Sequence, residues 1–198
     1  MELLLIEPSP WLVRWSGLIA PDASVLDVAA GSGRHTAWLA ARGHRVTAVD
    51  RDAEAMRPLS GRAEVVVADL ESGPWPFVGR RFDAIVVTNY LWRPLFAPFI
   101  ASLGEGGVLI YETFAAGQET VGRPSRPDFL LARGELLEAM RSLRIVAFED
   151  GFLTDPERFV QRVVAVRDLV STPPARYPLD ASAGRRGSVE SFDSGNVE

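Results

Sequence analysis

Short apolar runs alternate with segments in which apolar residues recur every three or four positions, and this pattern predicts strands alternating with helices. The predicted strands cover residues 25–28, 45–49, 63–68, 82–88, 106–113, 144–149 and 159–167, and the third is expected to be buried. The predicted helices cover residues 2–20, 34–42, 52–60, 94–103 and 133–143. Strands that alternate with helices are typical of a mostly parallel, doubly wound sheet.

The last two predicted strands are an exception to the parallel arrangement. The link between them, residues 151–158, is too short for a helical crossover, so we expect them to pair antiparallel. The segment 171–198 then changes character and is rich in serine, glycine, proline and charged residues. We therefore predict one domain over residues 1–170, which begins with a helix in 1–20, and a disordered tail over 171–198.

The composition excludes several kinds of chemistry. The chain has 198 residues and no cysteine, and all of its 21 basic residues are arginine, which rules out thiol catalysis and lysine Schiff bases. Only two histidines occur, so we predict no metal site, and His35 is expected to lie at the surface or to cap a helix. The net charge of −5 argues against a nucleic-acid partner. No apolar run is long enough to span a membrane, and we expect a cytoplasmic monomer or homodimer.

The segment 24–36, SVLDVAAGSGRHT, carries the strongest functional indication. A short apolar strand leads into the turn 29–33, which has almost no side-chain bulk, and a helix follows. Glycine lets the backbone approach a ligand closely, and the amino end of a helix presents unpaired N–H groups. Asp50 ends the next strand, where a carboxylate accepts hydrogen bonds from both hydroxyls of a ribose. The pattern therefore predicts a nucleoside cofactor.

Two cofactors compete for this turn. A dinucleotide-binding turn has the order G-x-G-x-x-G, but Thr36 stands where the third glycine belongs, and the lysine of the short-chain dehydrogenases is absent. The order Asp27-x-Ala29-x-Gly31-x-Gly33 instead resembles motif I of the class I S-adenosylmethionine (SAM) methyltransferases, usually (D/E)-x-G-x-G-x-G. Ala29 takes the position of the first glycine. The chain is most similar to the small, single-domain, tellurite-resistance methyltransferase-like group.

This resemblance implies an α/β fold: a doubly wound, mostly parallel seven-stranded Rossmann-like sheet with a C-terminal antiparallel hairpin. It also implies SAM as the cofactor. In the family the motif I glycines lie beneath the methionine part of SAM, and acids after the second and third strands bind its ribose and adenine. The positions that match the cofactor-binding residues of the family are Asp27, Ala29, Gly31, Gly33, Asp50, Arg51, Asp69, Leu70 and Asn89.

Three residues that follow or end the fourth and fifth predicted strands are candidates for catalysis. Methyl transfer from SAM depends mainly on positioning, and a base helps only if the acceptor must lose a proton. The candidates are Asn89, Tyr90 and Glu112. Glu112 is expected to act as a base or to bind an amine of the substrate, but a structural ion pair explains this residue equally well.

The long segment 115–128 follows the fifth strand and is typical of a binding loop at the edge of the sheet where ligands bind. Arg123 and Arg126 lie in this loop, and Arg93 precedes it. We expect Arg123 and Arg126 to clamp a carboxylate or phosphate of the acceptor, unless they are solvated surface residues, and we expect Arg93 to bind the substrate as well.

We therefore predict a SAM-dependent methyltransferase that acts by in-line displacement on a small acceptor, which is anionic if the arginines clamp it. Two alternatives stay open: methylation of tRNA or protein, and SAM binding without catalysis. The segment 89–92 is N-Y-L-W and lacks the N-P-P-Y-type tetrad of many methyltransferases that act on amino groups of nucleic acids and proteins, which favours a small molecule. An NAD oxidoreductase is the least favoured function.

Overall fold

The computed structural model describes residues 7–168 and 175–179. The helices are α1 Pro10–Trp15, α2 Arg34–Ala40, α3 Ala53–Met56, α4 Phe96–Ser102 and α5 Glu135–Ala139. The strands are β1 Ser24–Val28, β2 Arg45–Asp50, β3 Glu64–Val67, β4 Phe82–Thr88, β5 Leu103–Phe114, β6 Arg144–Thr154 and β7 Glu157–Val166. No helix in this described part of the chain is long and apolar enough to cross a membrane.

The strands form one seven-stranded sheet in the order β3-β2-β1-β4-β5-β7-β6. Strands β1 to β5 pair in parallel, and β7 pairs antiparallel with both β5 and β6. The predicted fold class is therefore confirmed, including the C-terminal hairpin. Because parallel strands end at the same edge of the sheet, the segments that follow β1 to β5 lie close together there.

Apolar side chains cover both faces of the sheet, which explains why the central strands are almost continuously apolar. Val25 of β1 is buried on the face that α1 covers, and Leu26 is buried on the other. Trp11 and Trp15 of α1 are both buried, and their ring centroids are 5.6 Å apart. Burial of two indole rings anchors this short helix against the sheet.

The edge strand β3 differs from its prediction. Among the described strands it pairs with β2 alone, and Val65 and Val67 are 37% and 56% exposed. The apolar run correctly predicts a strand, but burial depends on the place of the strand in the sheet, which a run of apolar residues does not specify. The prediction that this strand is buried was wrong.

Several elements differ from their predicted bounds. Helix α1 begins at Pro10, where the Ser9 hydroxyl accepts a hydrogen bond from the Trp11 N–H, while residues 2–6 of the predicted helix lie outside the described residues. Strands β6 and β7 are longer than predicted, so only residues 155–156 link them. Of the predicted tail, 175–179 are described, and the Tyr177 hydroxyl lies 2.9 Å from Oδ1 of Asp168.

Candidate functional site

A cavity of about 260 Å³ lies at the carboxyl edge of the sheet. Its walls come from the segments that follow β1, β2, β3 and β4, which meet at this edge. The lining residues are Ala29, Asp50, Arg51, Ala68, Asp69, Leu70, Glu71 and Tyr90. Most of the predicted cofactor-binding residues thus lie together around one space, which we call the first cavity.

The two glycines of the turn after β1 do different things. Gly31 has a φ of +55°, and a Cβ added there would meet no described atom within 4 Å. Gly33 has a φ of +78°, and a Cβ there would lie 2.4 Å from a methyl carbon of Leu59. Gly33 therefore allows close packing within the protein, while Gly31 leaves open space above the turn.

Ala29 occupies the first small position of the turn and has a φ of +53°. This left-handed conformation costs an L-residue about 1 kcal/mol relative to glycine. The methyl group of Ala29 lies in the wall of the first cavity. Alanine thus takes the place of the first motif glycine in a left-handed conformation, at this small cost in stability.

The carboxylates of Asp50 and Asp69 are both fixed by local hydrogen bonds. Asp50 accepts from the Gly31 N–H at 2.8 Å and from the Asp52 N–H at 2.9 Å, one bond on each oxygen. The Ser72 hydroxyl donates to Asp69 at 2.7 Å and holds the pKa of that carboxyl below its usual range. Each carboxylate oxygen has two lone pairs, so the Asp50 oxygens retain capacity to bind hydroxyl groups of a ligand.

Asp27 lies beneath the turn and is not in the wall of the first cavity. Its side chain is buried, and the Thr36 hydroxyl donates to Oδ2 at 2.6 Å. Burial raises the pKa of Asp27 to about 6, although the hydrogen bond from Thr36 acts in the opposite direction. Among the described residues, Asp27 thus links β1 to α2 and supports the turn from below.

A second cavity, of about 210 Å³, lies beside the first. It is formed at the ends of β4 and β5 and closed by the loop that follows β5. The lining residues are Glu71, Asn89, Tyr90, Leu91, Thr113, Phe114, Pro124 and Phe129. Glu71 and Tyr90 line both cavities, so the two spaces share a wall.

Tyr90 is held in this shared wall by its backbone. Its carbonyl accepts a hydrogen bond of 2.9 Å from the buried Tyr111 hydroxyl. The Tyr90 hydroxyl is itself buried and has no hydrogen-bond partner among the described residues. Burial raises the pKa of Tyr90, so the phenol is a neutral donor. Asn89, the residue before it, has a φ of +54°, and its N–H donates to the Glu112 carbonyl.

Arg93 does not line either cavity in the described part of the chain but holds the loop beside the second one. Its guanidinium donates to Glu135 at 2.6 and 2.9 Å and to the carbonyls of Asp128 and Leu130 at 2.8 and 2.9 Å. These bonds fix the segment that carries Phe129. The position of Arg93 therefore favours a supporting role over acceptor binding.

The two predicted clamp residues, Arg123 and Arg126, also lie outside the two cavity walls as described. Arg126 pairs with Asp128 at 2.9 Å, and both side chains are largely exposed. Arg123 is exposed at the surface of the loop. The structure thus does not bring the three arginines together around a common space.

The loop after β5 is closed at its base. Leu131 donates to the Phe114 carbonyl and accepts from the Ala116 N–H, and the Gln118 side chain accepts from the Phe159 N–H and donates to the Arg123 carbonyl. Sequence reasoning missed Gln118, which is buried although it lies within a polar segment. Its burial follows from these backbone partners, which lie on both sides of the loop.

Glu112 lies on the opposite face of β5 from Thr113 and is buried. Its carboxylate accepts from the Ser9 hydroxyl at 2.9 Å, and it pairs with Arg162 at 3.2 Å and Arg158 at 3.6 Å. In the described chain Glu112 does not line either cavity. This position favours the structural ion pair over a role as base.

His35 connects three elements and is not the surface or capping residue that was expected. It is buried; the Ser9 N–H donates to its Nε2 at 3.2 Å, and Thr88 Oγ1 lies 3.2 Å from its Nδ1. Burial, together with the nearby Arg34, lowers the pKa of His35 to about 3, so the ring is neutral. The expectation failed because the chain before α1 folds over α2, which a local pattern does not reveal.

A family model described as a methyltransferase domain matches residues 25–107. This range contains the glycine turn, Asp50 and Asp69, and the strand order around it is the one described above. Residues 25–107 are thus a methyltransferase domain, and the chain has the fold of the class I SAM-dependent methyltransferases. No functionally curated protein matches the sequence.

Solved methyltransferase structures have the same fold at low sequence identity. TehB from Haemophilus influenzae has a TM-score of 0.67 and 18% identity over 79% of this chain and 61% of its own. A TehB-like SAM-dependent methyltransferase from Corynebacterium glutamicum has a TM-score of 0.59 and 22% identity over 80% and 88%. The 1,6-didemethyltoxoflavin-N1-methyltransferase of Burkholderia thailandensis, solved with 1,6-didemethyltoxoflavin and S-adenosylhomocysteine, has a TM-score of 0.61 and 22% identity over 81% and 77%.

The residues around the first cavity fit SAM, the cofactor of the class I methyltransferases. SAM presents ribose hydroxyls and an adenine amino group as donors, and the carboxylates of Asp50 and Asp69 lie in the cavity wall as acceptors. The open space above Gly31 admits a ligand against the backbone. The Tyr90 hydroxyl supplies a donor that has no other partner among residues 7–168 and 175–179.

Proposed function

We propose that this protein transfers the methyl group of SAM to a small-molecule acceptor. The observation that carries the proposal is the shared wall of the two cavities. The first is lined by Asp50, Asp69 and Ala29 of the glycine turn, and the second adjoins it at Tyr90 and Glu71. A donor site beside a separate acceptor site is the arrangement that group transfer requires.

The residues of the first cavity would hold the cofactor. Asp50 would accept hydrogen bonds from the ribose, Asp69 and the backbone of Leu70 would bind adenine, and Gly31 would let the methionine part lie against the turn. When bound, SAM would supply a methyl group activated by its sulfonium: a lone pair of the acceptor would attack the methyl carbon in line, and the electrons of the broken C–S bond would leave with S-adenosylhomocysteine. Asn89 and Tyr90 would orient the acceptor for this attack and exclude water.

The size of the second cavity supports a small acceptor. Its volume of about 210 Å³ is smaller than that of the first cavity, about 260 Å³, which we assign to SAM. The ring of Phe129 and the pyrrolidine of Pro124 form part of its wall from the loop side. Such a space suits one small ring compound better than a nucleotide within tRNA or a peptide side chain with its flanking chain.

Calorimetric titration with SAM, S-adenosylhomocysteine and NADH tests the proposal. We expect micromolar binding of the first two compounds, at least tenfold weaker binding in Asp50→Ala, and no binding of NADH. Binding of NADH without SAM would contradict the proposal. A screen of small acceptors for formation of S-adenosylhomocysteine then separates catalysis from SAM binding alone, because a binding protein without catalytic function would yield none.

A further inference from the structure

We infer that the second cavity selects a small aromatic compound that carries a basic nitrogen, and that it rejects anions. The inference rests on the proposed function, because it assigns the space beside the SAM site to the methyl acceptor. It replaces the expectation of an anionic acceptor, which depended on Arg123 and Arg126.

The wall of the second cavity favours flat and positively charged groups. Three aromatic residues, Tyr90, Phe114 and Phe129, contribute to it. Aromatic faces stack with rings and attract cations. Glu71 is the one charged residue among the described residues of this wall. A carboxylate in this position attracts an ammonium group and repels a carboxylate or phosphate.

The Glu71 carboxylate is available for a ligand. The side chain is exposed and forms no ion pair or side-chain hydrogen bond with the described part of the chain, while its N–H is bound to Asp69. The surrounding charge is also negative. Burial is the main reason that the pKa of Tyr90 is raised, but the carboxylates of Glu71, Asp69 and Asp50 raise it further, and Arg51 acts in the opposite direction. An acceptor anion would therefore enter a region of unfavourable potential.

The arginines that would bind an anion have other partners or positions. Arg93 is bound to Glu135 and to two loop carbonyls. Arg126 pairs with Asp128 and lies over the ring of Phe129 at 5.2 Å. Arg123 is exposed and absent from the described cavity wall. None of these three arginines thus lies in the described wall of the second cavity.

Three probes that share one ring and differ in charge test this inference: benzylamine, benzyl alcohol and benzoate. Their dissociation constants are measured by NMR titration of the full chain saturated with S-adenosylhomocysteine. We expect benzylamine to bind about threefold more tightly than benzyl alcohol, the factor of a partly solvated ion pair, and benzoate to bind most weakly. Glu71→Gln should abolish the preference for benzylamine.

Two further variants locate the effect. Glu105→Gln removes the same charge from the opposite edge of the sheet and should leave the preference unchanged. Phe129→Leu should weaken binding of both benzylamine and benzyl alcohol, because it removes a ring from the wall of the second cavity.

The outcomes separate the two proposals. If S-adenosylhomocysteine fails to bind, both are overturned. If it binds but benzoate is preferred, if no probe binds, or if Glu71→Gln leaves the preference for benzylamine in place, the assignment of the second cavity is overturned and the methyltransferase proposal stands.

Discussion

The backbone N–H of Gly31 donates a hydrogen bond of 2.8 Å to Oδ2 of Asp50, and this bond ties the glycine turn to the end of β2. The other oxygen of Asp50 accepts from the Asp52 N–H at 2.9 Å. The carboxylate that is predicted to bind the ribose therefore also shapes the turn that is predicted to receive the methionine part. One residue thus determines both the form and the chemistry of the first cavity.

Asp50→Ala is therefore expected to affect both folding and binding. Loss of two charge-assisted hydrogen bonds should lower the free energy of unfolding by about 2 kcal/mol, measured by urea denaturation. SAM affinity should fall at least tenfold.

Asp52→Ala is the matched control, because Asp52 caps α3 through the N–H groups of Glu54 and Ala55 but does not line the cavity. This substitution should lower the free energy of unfolding by about 1 kcal/mol and leave SAM affinity unchanged. An equal loss of affinity in both variants would contradict a direct role for Asp50.

The two turn glycines offer a paired test of the space above the turn. Gly31→Ala places a methyl group in open space, so it should cost only about 1 kcal/mol of stability while weakening SAM binding. Gly33→Ala places its methyl group against Leu59 and should be the more destabilising change in thermal unfolding. Because Leu59→Ala removes the methyl groups that this contact involves, it should lower the stability of the Gly33→Ala protein less than it lowers the stability of wild type. A Gly31→Ala protein with wild-type SAM affinity would show that the ligand lies elsewhere.

The bonds made by Arg93 predict a change in loop dynamics. Arg93→Lys keeps the charge but cannot bind Glu135, Asp128 and Leu130 at once, because lysine lacks the planar fork of donors. Hydrogen exchange of residues 115–131 should accelerate, and the free energy of unfolding should fall by about 2 kcal/mol. Arg126→Gln removes an exposed ion pair of the same loop and should lower the free energy of unfolding by less than about 1 kcal/mol. Equal exchange rates in wild type and Arg93→Lys would refute this supporting role.

Apolar periodicity and strand-end chemistry were sufficient to predict much of this protein. The glycine turn, Asp50 and Asp69 are recognisable because each follows an apolar run directly, and the topology then brings the ends of those runs together. Local sequence is informative here because the strand and its terminal residue are adjacent in the chain.

The supporting contacts could not be predicted in the same way. Ser9 reaches Glu112 across 103 positions, and Arg93 reaches Glu135 across 42. The serine, arginine and glutamates of these two pairs are residue types that occur many times in the chain, so nothing in the sequence marks them as partners. Which residues pair depends on how α1 and the loop after β5 pack on the finished sheet, and no local pattern encodes that packing.

Asp27 predicts a pH dependence of stability. Burial raises its pKa in the folded protein to about 6 from an ordinary 3.8, so the folded state holds a proton that the unfolded state has released. The resulting stabilisation is complete below about pH 4 and is lost as the pH rises to about 6, a change of about 3 kcal/mol. Asp27→Asn removes this dependence and keeps an acceptor for Thr36. The stability of wild type relative to Asp27→Asn should fall between pH 4 and pH 7 in urea denaturation. If the difference in stability between wild type and Asp27→Asn did not change with pH, the pKa of Asp27 would not be raised in the folded protein.

Glu112→Gln distinguishes an ion pair from a catalytic base. The substitution leaves Arg158 and Arg162 without their buried partner, although Arg162 still pairs with Glu149 at 2.5 Å. We expect the free energy of unfolding to fall by about 2 kcal/mol, less than for a fully isolated buried charge, with SAM affinity unchanged. Glu149→Gln alters the more exposed partner of Arg162 and should lower the free energy of unfolding by about half that amount. A stable Glu112→Gln protein that binds SAM normally but loses a hundredfold in methyl transfer would instead make Glu112 the base.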